Sequence, residues 1–226
     1  KHGGVELLGS TVLRDIQRTG NFIPYKPAKK KHDQIYNTPI TIHEKWQIDV
    51  KFVPKCCKNG CLEGSYYQYT ILEESTRKRF LYFTNEHSMY ETVKALELAI
   101  KFFKHSPKEL QSDNGFEFSD KARRKPNGKR TRSYDNILER FLKEHNIKHH
   151  FIRPRTPQHN GKVERSHRTD QDKFYSHLSF YSLEDLRKQG RARNKRYNEM
   201  PKFVLGFKSP NEIELEKLKE LSNINI

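Results

Sequence analysis

Only three cysteines occur in 226 residues, and Cys56, Cys57 and Cys61 fall within one short segment. An odd count so closely spaced argues against a disulfide framework and for a reducing interior. A zinc knuckle there would need a fourth ligand, and no histidine stands at finger-like spacing nearby. No apolar run approaches the ~20 residues of a membrane-spanning helix. The first residue is Lys1, and no signal-peptide pattern follows it, so the chain is expected to be cytoplasmic and to be a fragment of a longer protein. Acids are also in deficit. Against 44 Lys and Arg stand 28 Asp and Glu, a formal net charge of +16. Such a surplus says little about fold, but it draws polyanions to the surface, which makes DNA or RNA the leading partner.

What is present fits one good-sized domain with a small appendage. Apolar residues at 33% and charged residues at 32% imply a modest core under an ionic surface, and 12% aromatics argue against general disorder. Residues 10–19 are expected to form a short helix, with Ser10 as N-cap and Gly20 as stop. This helix is equally the remnant of a helix-turn-helix unit or an ordinary packing helix. Pro24, Pro27 and Pro39 around Lys29, Lys30 and Lys31 predict an extended basic linker. The boundaries expected are 1–41 for helix and linker, 42–200 for a catalytic core, and 201–226 for a C-terminal tail.

Within the core, Trp46, Ile48, Val50 and Phe52 alternate with Gln47, Asp49 and Lys51, the pattern of a half-buried strand. Further strands are expected at Tyr66 to Leu72, Arg79 to Thr84, Glu109 to Ser112 and His149 to Ile152. Helices are expected at 90–104, Ile137 to Glu144, Gly161 to about Leu178, Leu183 to Asn198, and Glu212 to Leu221. Three strands, a helix, a strand, a helix, a strand and then helices fit an α/β layer built on a five-stranded mixed sheet. A basic insertion over 121–136, with Arg123, Arg124 and Arg130, is expected to be an arm that contacts DNA or a solvated surface segment.

Three carboxylates stand out by their settings. Asp49 and Asp113 end strand-like runs, and Glu164 follows the Gly161 loop into a helix. Phosphodiester chemistry needs an activated nucleophile and a stabilised leaving oxygen, which two Mg²⁺ ions roughly 4 Å apart supply. Mg²⁺ takes hard oxygen ligands and keeps several waters, so a few carboxylates suffice. Asn114 and Gly115 suit a sharp turn after the strand. Lys162, Arg165 and Arg168 lie close to Glu164 and would reach phosphates. The residues alone leave an alternative open: an Asp at a strand end is often a turn acid, and a Glu in a first helical turn is often a dipole partner. Glu117, Asp120, Asp170 and Asp172 show that acids are not scarce nearby.

Three segments in order carry a resemblance: Trp46-Gln47-Ile48-Asp49-Val50-Lys51, Asp113-Asn114-Gly115-Phe116-Glu117-Phe118, and Pro157-Gln158-His159-Asn160-Gly161-Lys162-Val163-Glu164-Arg165. The chain resembles the catalytic core of bacterial insertion-sequence transposases related to retroviral integrases, acidic-triad recombinases of the ribonuclease-H-like superfamily. The match runs from about Trp46 to Pro210. It implies Asp49, Asp113 and Glu164 as the metal-binding catalytic triad, with Mg²⁺ or Mn²⁺ as a pair of ions. Gly161 is expected to support the loop. The resemblance puts Asn160 near the DNA end and Arg168 on its phosphates. Some relatives carry a basic residue two turns beyond the glutamate, where this chain has Gln171, so Arg168 or Lys173 would replace it. The spacing from Asp113 to Glu164 exceeds the family's usual gap, and the basic insertion accounts for the excess. The implied activity is metal-dependent cleavage of element ends and strand transfer to target DNA during transposition. The implied partners are double-stranded DNA and further copies of the chain on that DNA, in association with a bacterial nucleoid. A truncated or domesticated DNA-binding relic without catalysis, and a ribonuclease-H-like nuclease, are the competing functions.

Overall fold

The computed structural model describes residues 38–60, 62–113, 115, 118, 136–152 and 160–224. The helix expected over 10–19, most of the basic linker, and the basic insertion with Arg123, Arg124 and Arg130 lie outside these residues, as does Asn114. The alternating run forms β1, Lys45–Phe52. β2 is Tyr67–Glu73 and β3 is Arg79–Thr84. Helix α1, Met89–Phe103, starts where the Ser88 side chain accepts the Glu91 amide and stops at Lys104, whose backbone is left-handed. β4 is Glu109–Ser112, α2 is Ile137–Glu144 capped by Asn136, and β5 is Lys148–Phe151. Helix α3, Gly161–Asp170, runs into a π-helical turn, Gln171–Tyr175, and α4 spans Leu183–Glu199. The last helix, α5, is Pro210–Ile224.

The strands form one five-stranded sheet in the order β3-β2-β1-β4-β5. β1 is central, antiparallel to β2 and parallel to β4, and β4 is parallel to β5, so the sheet is mixed as expected. Helices cover both faces. On one side, Trp46, Ile48, Tyr69, Ile71 and Leu110 pack with residues of α1 and α2. On the other, Leu81 and Phe83 meet Tyr175, Phe180 and Leu186. Helix α4 also closes the edge strand. Asn198 accepts the amide of Arg79 and donates to its carbonyl at 3.0 and 2.8 Å, and Arg187 donates to the carbonyl of Phe83 at 2.9 Å. These bonds occupy backbone groups that an open edge would expose.

Three expectations change. β1 is not half-exposed, because Gln47 on its polar face is fully buried and hydrogen-bonded beneath α3. The helix from Gly161 does not stay α-helical to Leu178 but widens at Gln171. Asp170 and Tyr175 both point inward, at 0% and 3% exposed. Five α-helical steps would set them about 140° apart, and the wider π turn brings them toward one side. The terminal helix is longer than expected. Pro210 stands first, and Ser209 and Glu212 form a reciprocal capping box before it. It packs on α4, and Glu214 pairs with Lys78. Among the described residues no helix is long and apolar enough to cross a membrane.

Helix α4 approaches β3 closely because position 190 is glycine. A Cβ there would fall 2.2 Å from a ring carbon of Phe83, itself 2% exposed. Gly190→Ala is therefore expected to destabilise the fold by about 1–3 kcal/mol through overpacking, against a helix-propensity gain of about 1 kcal/mol. Urea denaturation reads the difference; a midpoint equal to or above wild type would mean that α4 retreats freely.

Candidate functional site

The odd-numbered side of β1 carries the polar residues, and α3 lies across it. Gln47 accepts the Val163 amide at 3.2 Å and donates to Glu74 at 2.6 Å, and Glu74 accepts the Lys162 ammonium at 2.7 Å. The start of α3 is thus tied to the sheet by one amide and one ion pair. Two residues further along β1 comes Asp49, whose cross-strand partner on β2 is Thr70. His167, one turn beyond Glu164, bridges the two strands. Its Nδ1 lies 3.4 Å from Asp49 Oδ2 and its Nε2 lies 2.9 Å from Thr70 Oγ1. Burial, reinforced by Lys51 and Arg79, lowers the His167 pKa to about 4, so the ring is neutral at physiological pH. The Thr70 hydroxyl accepts from Gln68 at 2.8 Å and can give its own proton to Nε2. That tautomer leaves Nδ1–H aimed at the carboxylate, whereas the other would set a lone pair against it.

Asp113 follows β4 directly and is exposed; its Oδ1 accepts the Gly115 amide at 2.8 Å, which pins the turn. The parallel pairing of Gln47 with Gln111, extended by two residues, sets Asp113 level with Asp49 on the neighbouring strand. Glu164 is exposed on α3, on the flank that also carries His167 and Arg168. Asp113 thus follows the strand paired with β1, and Glu164 stands one turn before the histidine that meets Asp49. Their oxygens do not converge, for among the described residues no three His, Cys, Asp or Glu side chains form a ready metal ligand set.

Other expected contacts are placed differently. Lys162 is turned onto Glu74 rather than outward, and burial lowers its pKa. Asn160 is buried, at 4% exposed, at the start of α3, so its side chain is not offered to a ligand on the surface. Arg165, Arg168 and Lys173 are exposed. At Gln171 the nearby cation comes from the sheet, where Lys51 Nζ donates to Gln171 Oε1 at 2.9 Å and sits 4.9 Å from the Tyr175 ring centre. Lys51 lies two residues after Asp49 and so on the same face of β1.

Beneath α3 lies a charge cluster in which Asp170 holds two arginines. Arg79 grips both carboxylate oxygens at 2.8 Å, and Arg193 Nε donates to Oδ1 at 2.9 Å. Ser166 and Gln68 complete the shell at 2.7 Å from Arg79 and 3.1 Å from Asp170. Position alone marked Asp170 only as a nearby acid; nothing in its local sequence signals two buried partners from β3 and α4.

The integrase core domain family matches residues 42–157, and a second integrase core domain family matches 145–210. The chain belongs to the integrase core domain family. This integrase core is 31% identical over 147 residues to the putative integrase ORF3 of a Spiroplasma virus, covering 63% of this chain and 38% of that protein. Over 167 residues it is 26% identical to the retrovirus-related Pol polyprotein from a transposon of Nicotiana tabacum, covering 72% of this chain and 11% of the relative. The chain thus spans well under half the length of either. Among solved structures, a chain of the simian T-cell lymphotropic virus intasome superposes with a TM-score of 0.60 at 13% identity, over 83% of this chain and 60% of that one. The HTLV-2 integrase catalytic core domain, in complex with magnesium, gives 0.54 at 16% identity, over 77% and 97%. The catalytic core domain of BIV integrase gives 0.54 at 18% identity, over 80% and 99%. The fold is that of the ribonuclease-H-like integrase catalytic cores.

The Asp170 cluster generates a prediction for the site's platform. Burial alone would raise the Asp170 pKa, but Arg79 and Arg193 outweigh it and hold the group below its ordinary value of 3.8. Its stabilising contribution is therefore complete above that value and is lost as pH falls through the lower folded one. Asp170→Asn strands two buried guanidinium groups and is expected to cost about 3–5 kcal/mol near neutrality. Denaturant titration near neutrality and again below pH 4 checks both statements: a gap that does not narrow in acid would contradict the assignment.

Proposed function

We propose that this integrase core cleaves and rejoins DNA strands, nicking the ends of a mobile DNA segment and joining a 3′-hydroxyl to target DNA. The observation that carries the proposal is the parallel pairing of β1, which bears Asp49, with β4, which leads directly into Asp113, together with the His167–Asp49 contact that holds the Glu164 flank of α3 over β1. Family membership supports the same chemistry.

Asp49, Asp113 and Glu164 offer hard carboxylate oxygens only, the donor set that suits Mg²⁺ or Mn²⁺. When bound, a pair of such ions supplies Lewis-acid stabilisation of the attacking and leaving oxygens. The protein's own part is placement. Asp49 is held by its strand, by the Val50 amide at 2.9 Å to Oδ1, and by His167 on Oδ2. Asp113 is held through the Gly115 turn. Glu164 sits in the first turn of α3, where helix amides favour anionic groups. Lys51, Arg168 and Lys173 supply positive charge around the acids for DNA phosphates. No covalent enzyme–DNA bond is required, so the tyrosines have no nucleophilic part. Assembly of several copies on DNA belongs to the same proposal, in keeping with the intasome and the dimeric and trimeric forms of the structural neighbours.

Asp49→Asn, Asp113→Asn and Glu164→Gln should each lower nicking and joining of element ends by at least about a thousandfold, roughly 4 kcal/mol of transition-state stabilisation. Retained activity in any one of the purified variants would remove that acid from the triad. His167 acts through Asp49. His167→Ala should weaken Mn²⁺ binding, read by calorimetry without DNA, about 10- to 100-fold. His167→Asn, which keeps a donor, should recover part of it. Equal Mn²⁺ affinity in all three proteins would show that the imidazole only fills space.

A further inference from the structure

Helix α3 has a second charged flank, turned away from the acids. Lys162, Arg165 and Thr169 follow one another at helical spacing there. With Arg77 from the β2–β3 turn and Lys202 from beyond α4, they line a cavity of about 340 Å³. Four cations from three separate segments converge on it, and none of the described residues lining it is acidic.

Two of these cations are fixed in place. Lys162 is held by Glu74 at 2.7 Å. Lys202 donates to the Tyr197 carbonyl at 3.3 Å and sits 3.5 Å from the centre of the Tyr197 ring. The buried Arg79 guanidinium lies 3.6 Å from the same centre, and two cations so close to one ring must occupy its opposite faces. Behind the wall, one Asp170 is shared by Arg79 and Arg193, which leaves a surplus positive charge. Burial first, then Arg79 and Arg193, lowers the Lys202 pKa to about 8, so the cavity already strains to keep its charge. An anion in the cavity relieves that repulsion. The start of α3 also borders it, and Asn160 supplies no side-chain cap there, so the helix end adds to the attraction.

We propose that this cavity is a second phosphate-binding site, which grips the backbone of a DNA segment on the side of α3 opposite the acids. Phe203 on its rim is 80% exposed and Val204 59%. Such apolar surface suits sugars and bases rather than a free inorganic anion. The proposal rests on DNA being the ligand, but not on the acids being catalytic.

The test is fluorescence anisotropy of the full chain with a labelled random-sequence duplex, in EDTA, across a salt series. The wild type should bind with a steep salt dependence. Arg77→Gln with Lys202→Gln should weaken binding about tenfold and reduce the log–log salt slope by about two, since each phosphate contact contributes nearly one. Arg77→Lys with Lys202→Arg should keep both affinity and slope. An unchanged slope in the glutamine pair overturns the cavity site and leaves the proposed function standing. An equal loss in the charge-conserving pair also overturns it, because shape rather than charge would then be responsible. Absence of DNA binding by the wild type overturns both.

Discussion

The Arg79–Asp170–Arg193 cluster decides where helix α3 lies, and most of the functional surface follows from that. Removing three charges from water costs several kcal/mol per ion, which only close and complete pairing offsets. Here the pairing is complete. Asp170 receives a two-pronged Arg79, a third bond from Arg193 and a fourth from Gln68, while Tyr197 covers the guanidinium plane. The three charged residues come from β3, α3 and α4. A sliding or rotating α3 would therefore unpair charge in a dry interior, a far steeper penalty than the loss of an apolar contact.

Fixing Asp170 fixes a line of hydrogen bonds running across the sheet. Gln68 joins Asp170 to Thr70, Thr70 joins His167, and His167 reaches Asp49. Tyr175, at the end of the π turn, donates to the other side of Gln68 and holds its amide in one orientation. The partly buried Asp49 carboxylate on β1 is thus oriented by residues packed behind it. At the other end of α3, Gln47 and Glu74 perform the same service for Val163 and Lys162. Glu164 lies between two anchored points.

The chain order of the core elements, their approximate bounds and the mixed five-stranded sheet were legible in the sequence, because period-two and helical spacing are local signals. What was not legible is instructive. Gln47, Thr70 and Gln68 look like solvent-facing residues of alternating strands, yet all three are buried, since α3 covers a face that the pattern left polar. Arg79 opens a strand and Asp170 ends a helix; their pairing across 91 positions leaves no trace in either neighbourhood. His167 stands beside Glu164 in a segment whose acid drew attention, but its partner lies on β1, and only the fold sets the two side by side. The Ser209–Glu212 capping box, by contrast, was present in the sequence and marks a helix start that composition alone set too late.

The pairing pattern of the acids carries weight that their positions alone do not. In a chain with sixteen surplus positive charges, an acid meant to stabilise the fold finds a cation readily. Asp170, Glu74 and Glu214 do so, and each is buried or nearly so. Asp113 and Glu164 do not: among the described residues neither enters an ion pair, although Arg165 and Arg168 flank Glu164 on its own helix. The neighbour of Asp49 on α3 is a neutral imidazole rather than an ammonium. Under the proposed function, Asp113 and Glu164, outside any ion pair among the described residues, suit a ligand of higher charge than lysine or arginine. Asp113 holds the Gly115 turn as a turn acid would, and Glu164 sits in the first turn of α3 as a dipole partner would; their lack of an ion pair among the described residues favours the proposed ligand role beside those alternatives.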